Sequence, residues 1–377
     1  MRCVSLFFSV FLIQKVYNYL CSIKKYKDMI VTSSFSGTYF SSSIPDVVLT
    51  TTESRVRATI LVDSDTIYEE YLYPVSRKIS IADLTSLLTP YAKAALSVDV
   101  TINLIEQSVT TDTETNISTV SMTGKVIYSS ADVDTSASDF CSKYFLSILL
   151  GTKITSIGRL EYLHFLGTDS ATVTATYSDG SQQSFDATVI AGNNKYTTID
   201  VSADLFSVEG KELIAYTVNS GDRSQDYEID FSCPDCAPIL LFTNSFGVQE
   251  LAYCTGTHKV APEYKRNSAL ISGKLRNYSI EETRTFKADT GVLNFQMANW
   301  FDDVFRSNEI YIVNIIDGTP NIGREITVTD SKSEYSNDDN SLPRFTFSYR
   351  YAQLNQNVLQ LNRSGRIFDN TFDNTFN

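Results

Sequence analysis

Three of the six cysteines and one of the two histidines fall within 26 residues, as Cys233, Cys236, Cys254 and His258. The spacing, C-x2-C-x17-C-x3-H, is close to that of small structural zinc sites, where thiolates and an imidazole close a tetrahedron. A hairpin turning at Asn244 to Gly247, between ILLFT and VQELAY, would pair residues whose numbers sum to about 491. That register places Cys236 beside Cys254, with Cys233 in a CPDC knuckle and His258 four residues beyond Cys254. The four could hold zinc, and the same geometry also suits a Cys236–Cys254 disulfide in an oxidising compartment. Unlinked thiols at strand ends are the reading preferred over both, since small half-buried residues are ordinary there. Redox catalysis is disfavoured because this CxxC has no strand-to-helix context around it.

Other chemistry finds less support. SNDDNS, Ser336 to Ser341, clusters oxygen donors without the ordered ligands and bidentate Glu of a calcium loop, and reads as a solvated turn. Glu69-Glu70 and Glu281-Glu282 are neighbours on strands, so each pair points to opposite faces and cannot share a proton. A hydrolytic triad would have to rest on His164 or His258, and no G-x-S-x-G elbow or Gly-rich phosphate loop accompanies them. No catalytic residue is assigned and no cofactor is expected beyond a structural zinc.

The 377 residues have room for two or three domains, and 42% hydrophobic with 12% aromatic content fills real cores. A net charge of −13 with no basic stripe argues against a nucleic-acid partner. Cysteines this sparse do not make a secreted disulfide framework.

Richness in Ser, Thr, Val, Ile, Tyr and Phe makes the fold mainly β. Residues 29–128 alternate in short runs such as VRATILVD and SVDVTINLI, as in an immunoglobulin-like sandwich. Inside it, Leu84, Leu87 and Leu88 have helical spacing, with Pro90 as a stop. Residues 129–158 form a helical connector in which Phe140, Tyr144, Phe145, Ile148 and Leu149 share a face and Cys141 is a buried thiol. Residues 159–232 form a second β module, with a hairpin at Asp179-Gly180 and strands near Tyr196, Leu213 and Tyr227. Residues 233–361 are an α+β assembly domain with one amphipathic helix, marked by Leu293, Phe295, Met297, Trp300, Phe301, Val304 and Phe305. The fold class is thus one or two sandwich modules followed by an α+β domain.

The two ends differ from the rest. Residues 1–28 are apolar and then basic, net +4, and the composition changes at Met29, which is expected to be the working start. A membrane anchor is the competing reading of that extension. The tail, residues 362–377, repeats FDNT with Phe368, Phe372 and Phe376 four apart. It is expected to fray or to dock aromatics on a neighbouring subunit.

ADVDTSASDF, KYFLSILLGTKITSIGRLEYLHFLG, LLFTNSFGVQELAYCTG, TFKADTGVLNFQMANWFDDVFRSNEIYIV, ITVTDSKSEYSNDDNSLPRFTFSYRYAQ and RIFDNTFDNTFN resemble a group of structural proteins encoded by phages and prophages of gut Bacteroidales. The likeness covers most of the chain from Met29 and carries over no catalytic residue. It implies a virion component of tail, baseplate or head-to-tail type, assembled in the host cytoplasm. Its partners would be other copies of itself and neighbouring virion proteins, met through strand edges, the Trp300 helix face and the Phe368, Phe372, Phe376 tail. The rival function is a secreted or envelope β-sandwich that binds carbohydrate or another ligand.

Overall fold

RVRATILV alternates strictly in the computed structural model, with Val56, Ala58, Ile60 and Val62 turned inward along one strand. Period-2 alternation of this kind fixes one face of a sheet to a core. The structure describes residues 29–110, 113–192, 196–232, 234–316, 318–334 and 342–353. They divide into two compact units after Ser138. Residues 1–28, Cys233, the Ser336 to Ser341 cluster and the Phe368, Phe372, Phe376 tail lie outside the described residues.

The first unit runs β1 (Ile30–Ser33), β2 (Gly37–Phe40), β3 (Val47–Thr50), β4 (Arg55–Val62), β5 (Asp65–Leu72), β6 (Lys78–Ile81), α1 (Leu84–Ala95), β7 (Ser97–Val109) and β8 (Glu114–Ile127). A three-stranded sheet, β1-β3-β6, packs on a five-stranded one, β2-β8-β7-β4-β5. Val47, Leu49, Ile79 and Ile81 of the first meet Val56, Ile60, Val100 and Ile102 of the second in one core. Asp83 caps α1, its carboxylate accepting from the Ser86 hydroxyl at 2.7 Å. Pro90 does not stop this helix, which continues to Ala95. Leu84, Leu88 and Ala92 are buried one turn apart while Pro90 faces outward, so packing of that stripe outweighs the backbone bond Pro90 cannot make.

The second unit contains α2 (Ala137–Lys143), β9 (Lys153–Thr155), β10 (Tyr162–Leu166), β11 (Ala171–Tyr177), β12 (Gln182–Asp186), β13 (Thr188–Gly192), β14 (Tyr196–Asp200), β15 (Leu213–Ser220) and β16 (Arg223–Ile229). Sheets β10-β14-β13 and β12-β11-β15-β16-β9 enclose a core of Phe165, Val173, Tyr177, Ile199, Tyr216 and Tyr227. The connector is helical only over α2. Beyond it the Leu146 amide bonds the His164 carbonyl at 2.7 Å and its own carbonyl accepts from the Asn244 side chain at 2.7 Å, which draws the backbone out of the helix.

The same unit continues with β17 (Ile239–Thr243), β18 (Gln249–Tyr253), β19 (Lys259–Ile271), β20 (Lys274–Asp289), α3 (Phe295–Arg306), β21 (Ile310–Ile316), β22 (Thr319–Lys332) and β23 (Thr346–Tyr351). These strands form one sheet of order β18-β17-β21-β22-β23-β20-β19, and α3 lies on it over Phe242, Phe286, Phe347 and Tyr349. The chain is therefore mainly β, built of packed sheets with a short helix near the C-terminal end of the described residues.

Candidate functional site

Asn244 makes the hairpin on which the cysteines ride. Its amide bonds the Val248 carbonyl at 2.8 Å, and its side-chain oxygen accepts from the amides of Phe246 and Val248 at 2.9 and 3.2 Å. Asn suits this place because its short amide can satisfy a tight turn that is itself buried. The strands leave the turn in register, Ile239 opposite Tyr253, so Pro238 faces Cys254 and Cys236 lies just beyond the ladder.

Ala237, the residue after Cys236, donates its amide to the Cys254 carbonyl at 2.9 Å, and both cysteines are free thiols. Burial pushes each thiol upward, Cys254 most because it is wholly enclosed, so neither is a ready thiolate. His258 is drawn elsewhere. Its ring stacks on Phe286 and Tyr349, each at 5.9 Å between centroids, and its Nε2 shares a hydrogen bond with the Tyr349 hydroxyl at 2.8 Å. Burial lowers the imidazole pKa. Among the described residues no three His, Cys, Asp or Glu side chains are placed to hold a metal ion, and Cys233 lies outside them.

The hairpin's other side meets a buried polar network that sequence reasoning did not find. Glu250 accepts from Trp300 Nε1 at 2.7 Å, from the Asn244 amide group and from the Ser147 hydroxyl. Lys153 stands over the Trp300 ring, 4.7 Å from its centroid, and pairs with Glu161 at 2.6 Å. Asp303 of α3 accepts from the Ser245 amide at 2.9 Å and from its hydroxyl. Burial raises the Glu250 carboxyl pKa, and Lys153 with the three donors opposes that rise. These side chains hold connector, hairpin and helix together. Only widely separated polar residues mark the network in the sequence, so no spacing announces it.

Trp300 is consequently not on a face offered to another copy. It is 1% exposed and lies against Phe242 and Phe301. The apolar face of α3 is spent on its own sheet, which corrects the expectation of an outward Trp300 surface.

His164 is the other interior histidine. Its Nε2 donates to the Gln249 carbonyl at 2.8 Å, so its Nδ1 accepts from the Thr198 hydroxyl at 2.9 Å. Among the described residues, neither histidine is hydrogen-bonded to a carboxylate.

The surface offers something else. β19 and β20 pair from Lys259–Lys287 out to Ile271–Lys274, but β23 accompanies β20 only over Phe286–Asp289. Residues 261–285 thus run on as a two-stranded ribbon, turned at Ser272 and Gly273, both with positive φ as a tight hairpin turn requires. Alternation puts Tyr264, Ile280, Leu270 and Leu275 on one face together with Arg266, Glu282 and Arg284, with Tyr278 at the bulge beside them. Their exposures are 43, 56, 73, 73 and 66%. Lys265, Glu281, Ala269 and Arg276 lie on the opposite face, where Lys265 and Glu281 pair at 3.7 Å.

No protein-family model matches the chain, and no curated protein is similar to it. Among solved structures it is similar to a titin Ig tandem at 10% identity and TM-score 0.23, over 54% of this chain and 97% of that one. A two-domain Rst structure gives 9% identity and TM-score 0.24 over 54% of this chain and 100% of that one. Another titin tandem gives 7% identity and TM-score 0.17, over 87 and 91%. The architecture above rests on the chain's own strand pairing.

Proposed function

We propose that this chain is a non-enzymatic assembly protein of a phage or prophage particle, a tail, baseplate or head-to-tail component that acts through packing between subunits. The observation that carries the reading is the ribbon: residues 261–285 present five bulky apolar side chains to solvent, without a third strand or helix over them among the described residues. A ribbon of two strands is marginal alone and gains by being covered in a larger structure. The resemblance of KYFLSILLG, LLFTNSFGVQELAYCTG and the closing FDNT repeat to Bacteroidales phage structural proteins supplies the setting.

Mass photometry of residues 29–377, with and without residues 366–377, tests it alongside mass spectrometry of particle fractions from a phage-producing culture. Oligomers and recovery in particles are expected. A stable monomer unaffected by the deletion and absent from particles would overturn the reading.

A further inference from the structure

The ribbon differs from the rest of the molecule in charge as well as in packing. Residues 261–285 hold five Lys or Arg (Lys265, Arg266, Lys274, Arg276 and Arg284) against Glu263, Glu281 and Glu282, a net +2 within a chain of −13, and Lys259 and Lys287 add two positive charges at its base. The second unit also carries acidic surface. The outward side of the β12-β11-β15-β16-β9 sheet carries Asp186, Asp226 and Glu228, while its two basic residues, Lys153 and Arg223, are buried.

We propose that the ribbon is a docking arm whose partner is the acidic body of a second copy of this chain. This rests on the assembly reading above and deepens it. Charge decides between the ways two copies could meet. Two arms laid face to face would bring net positive charge against net positive charge, whereas an arm on the body of another copy brings opposite signs together. Size agrees. Eleven residue positions from Ala261 to Ile271, at about 3.3 Å each and about 10 Å of width, give one face roughly 350 Å². A stable contact needs about 800 Å² per partner. One arm face therefore falls short, and the second copy must also meet an edge or the other face. The apolar residues Tyr264, Leu270, Leu275, Tyr278 and Ile280 supply the desolvated centre, Arg266 stands on the same face as a charged contact, and Lys265, Lys274 and Arg276 on the opposite face add long-range steering.

An arm-to-body contact is heterologous: the donating and accepting surfaces differ, so each copy that accepts an arm still has its own to give. Repetition of such a contact produces a ring if the rotation closes and a filament if it does not.

The test is sedimentation velocity on residues 29–377 as wild type and as two variants. One is Lys265→Glu, Arg266→Glu, Lys274→Glu, Arg276→Glu; the other is Leu270→Ser, Leu275→Ser. Circular dichroism and Tm should match the wild type, because these side chains touch no core. Wild-type association should weaken at least about tenfold between ~0.1 M and ~1 M salt, as the screening length falls from about 10 Å to about 3 Å. Each variant should be monomeric at concentrations where the wild type assembles. If both variants assemble like the wild type, the arm is not the contact and this inference fails while the assembly reading stands. A wild type that stays monomeric at every concentration yet binds single-stranded DNA or anionic vesicles through Lys265 and Arg276 would overturn the inference in favour of an anionic polymer or membrane partner. A wild type that is monomeric and absent from particles would sink both.

Discussion

Burial holds the His164 imidazole neutral, with its pKa lowered to about 4. The unfolded chain takes up that proton near pH 6.5 and the folded chain does not, so stability contributed by neutral His164 is full above pH 6.5 and falls as pH drops toward 4. The loss is of the order of 3 kcal/mol at most. Urea midpoints measured between pH 7 and pH 4 should fall, and less steeply in His164→Gln. His258 adds to the same trend, since burial lowers its pKa too. Trp300→Phe removes the indole donor to Glu250 and should cost about 1–3 kcal/mol in urea unfolding, with no change in self-association. The two thiols should separate under maleimide: half-buried Cys236 labels first, and enclosed Cys254 labels only at the rate of unfolding. A zinc content near zero in reduced, chelator-free protein would remove the zinc reading, and stoichiometric zinc lost in Cys236→Ser would restore it.

At the scale of elements, the ribbon and the sheet base it grows from predict opposite responses. Replacing residues 263–283 with a short turn should leave Tm within about 2 °C, because nothing it removes lies in the core. Gly291→Ala should do the reverse. Its backbone has φ of 78°, and an added methyl would stand 1.9 Å from the Thr255 hydroxyl, so a loss of roughly 2 kcal/mol or more is expected in thermal unfolding. The hairpin at Asp179-Gly180, the turn at Asn244 and helix α3 were legible because period and turn residues agree locally. The connector after α2 and the helix through Pro90 were not, because distant carbonyls and a buried stripe override local preference there. The ribbon carried a readable signal: Ser272-Gly273 flanked by alternation, with five bulky apolar residues on one face. What the sequence could not announce is that only a short stretch of β23 would lie beside it. The Glu250 network was invisible for the converse reason, its members being brought together from the connector, the hairpin and α3.

At the scale of the molecule, each of the two units has a core of its own, and residues 29–138 should fold without the remainder, giving a cooperative urea transition and a β-type circular dichroism spectrum. Aggregation of that fragment, or a spectrum without β structure, would contradict independence. If copies associate through the proposed arm, the acidic excess outside the ribbon makes that association respond to salt, which sedimentation velocity across salt concentrations measures.

Both sandwiches are finished in the same way. In the first unit β2 lies parallel to β8, the last strand of its sheet, and in the second unit β9 lies parallel to β16, the last strand of that sandwich. An early segment therefore waits for a late one before its sheet is whole. On the ribosome this sets a timetable: β2 and β9 leave the exit tunnel with their partners still unmade, and each sandwich can close only after nearly all of its sequence has been translated. Chains cut short within either sandwich would carry an unfilled sheet edge, the kind of exposed strand that pairs with the wrong neighbour.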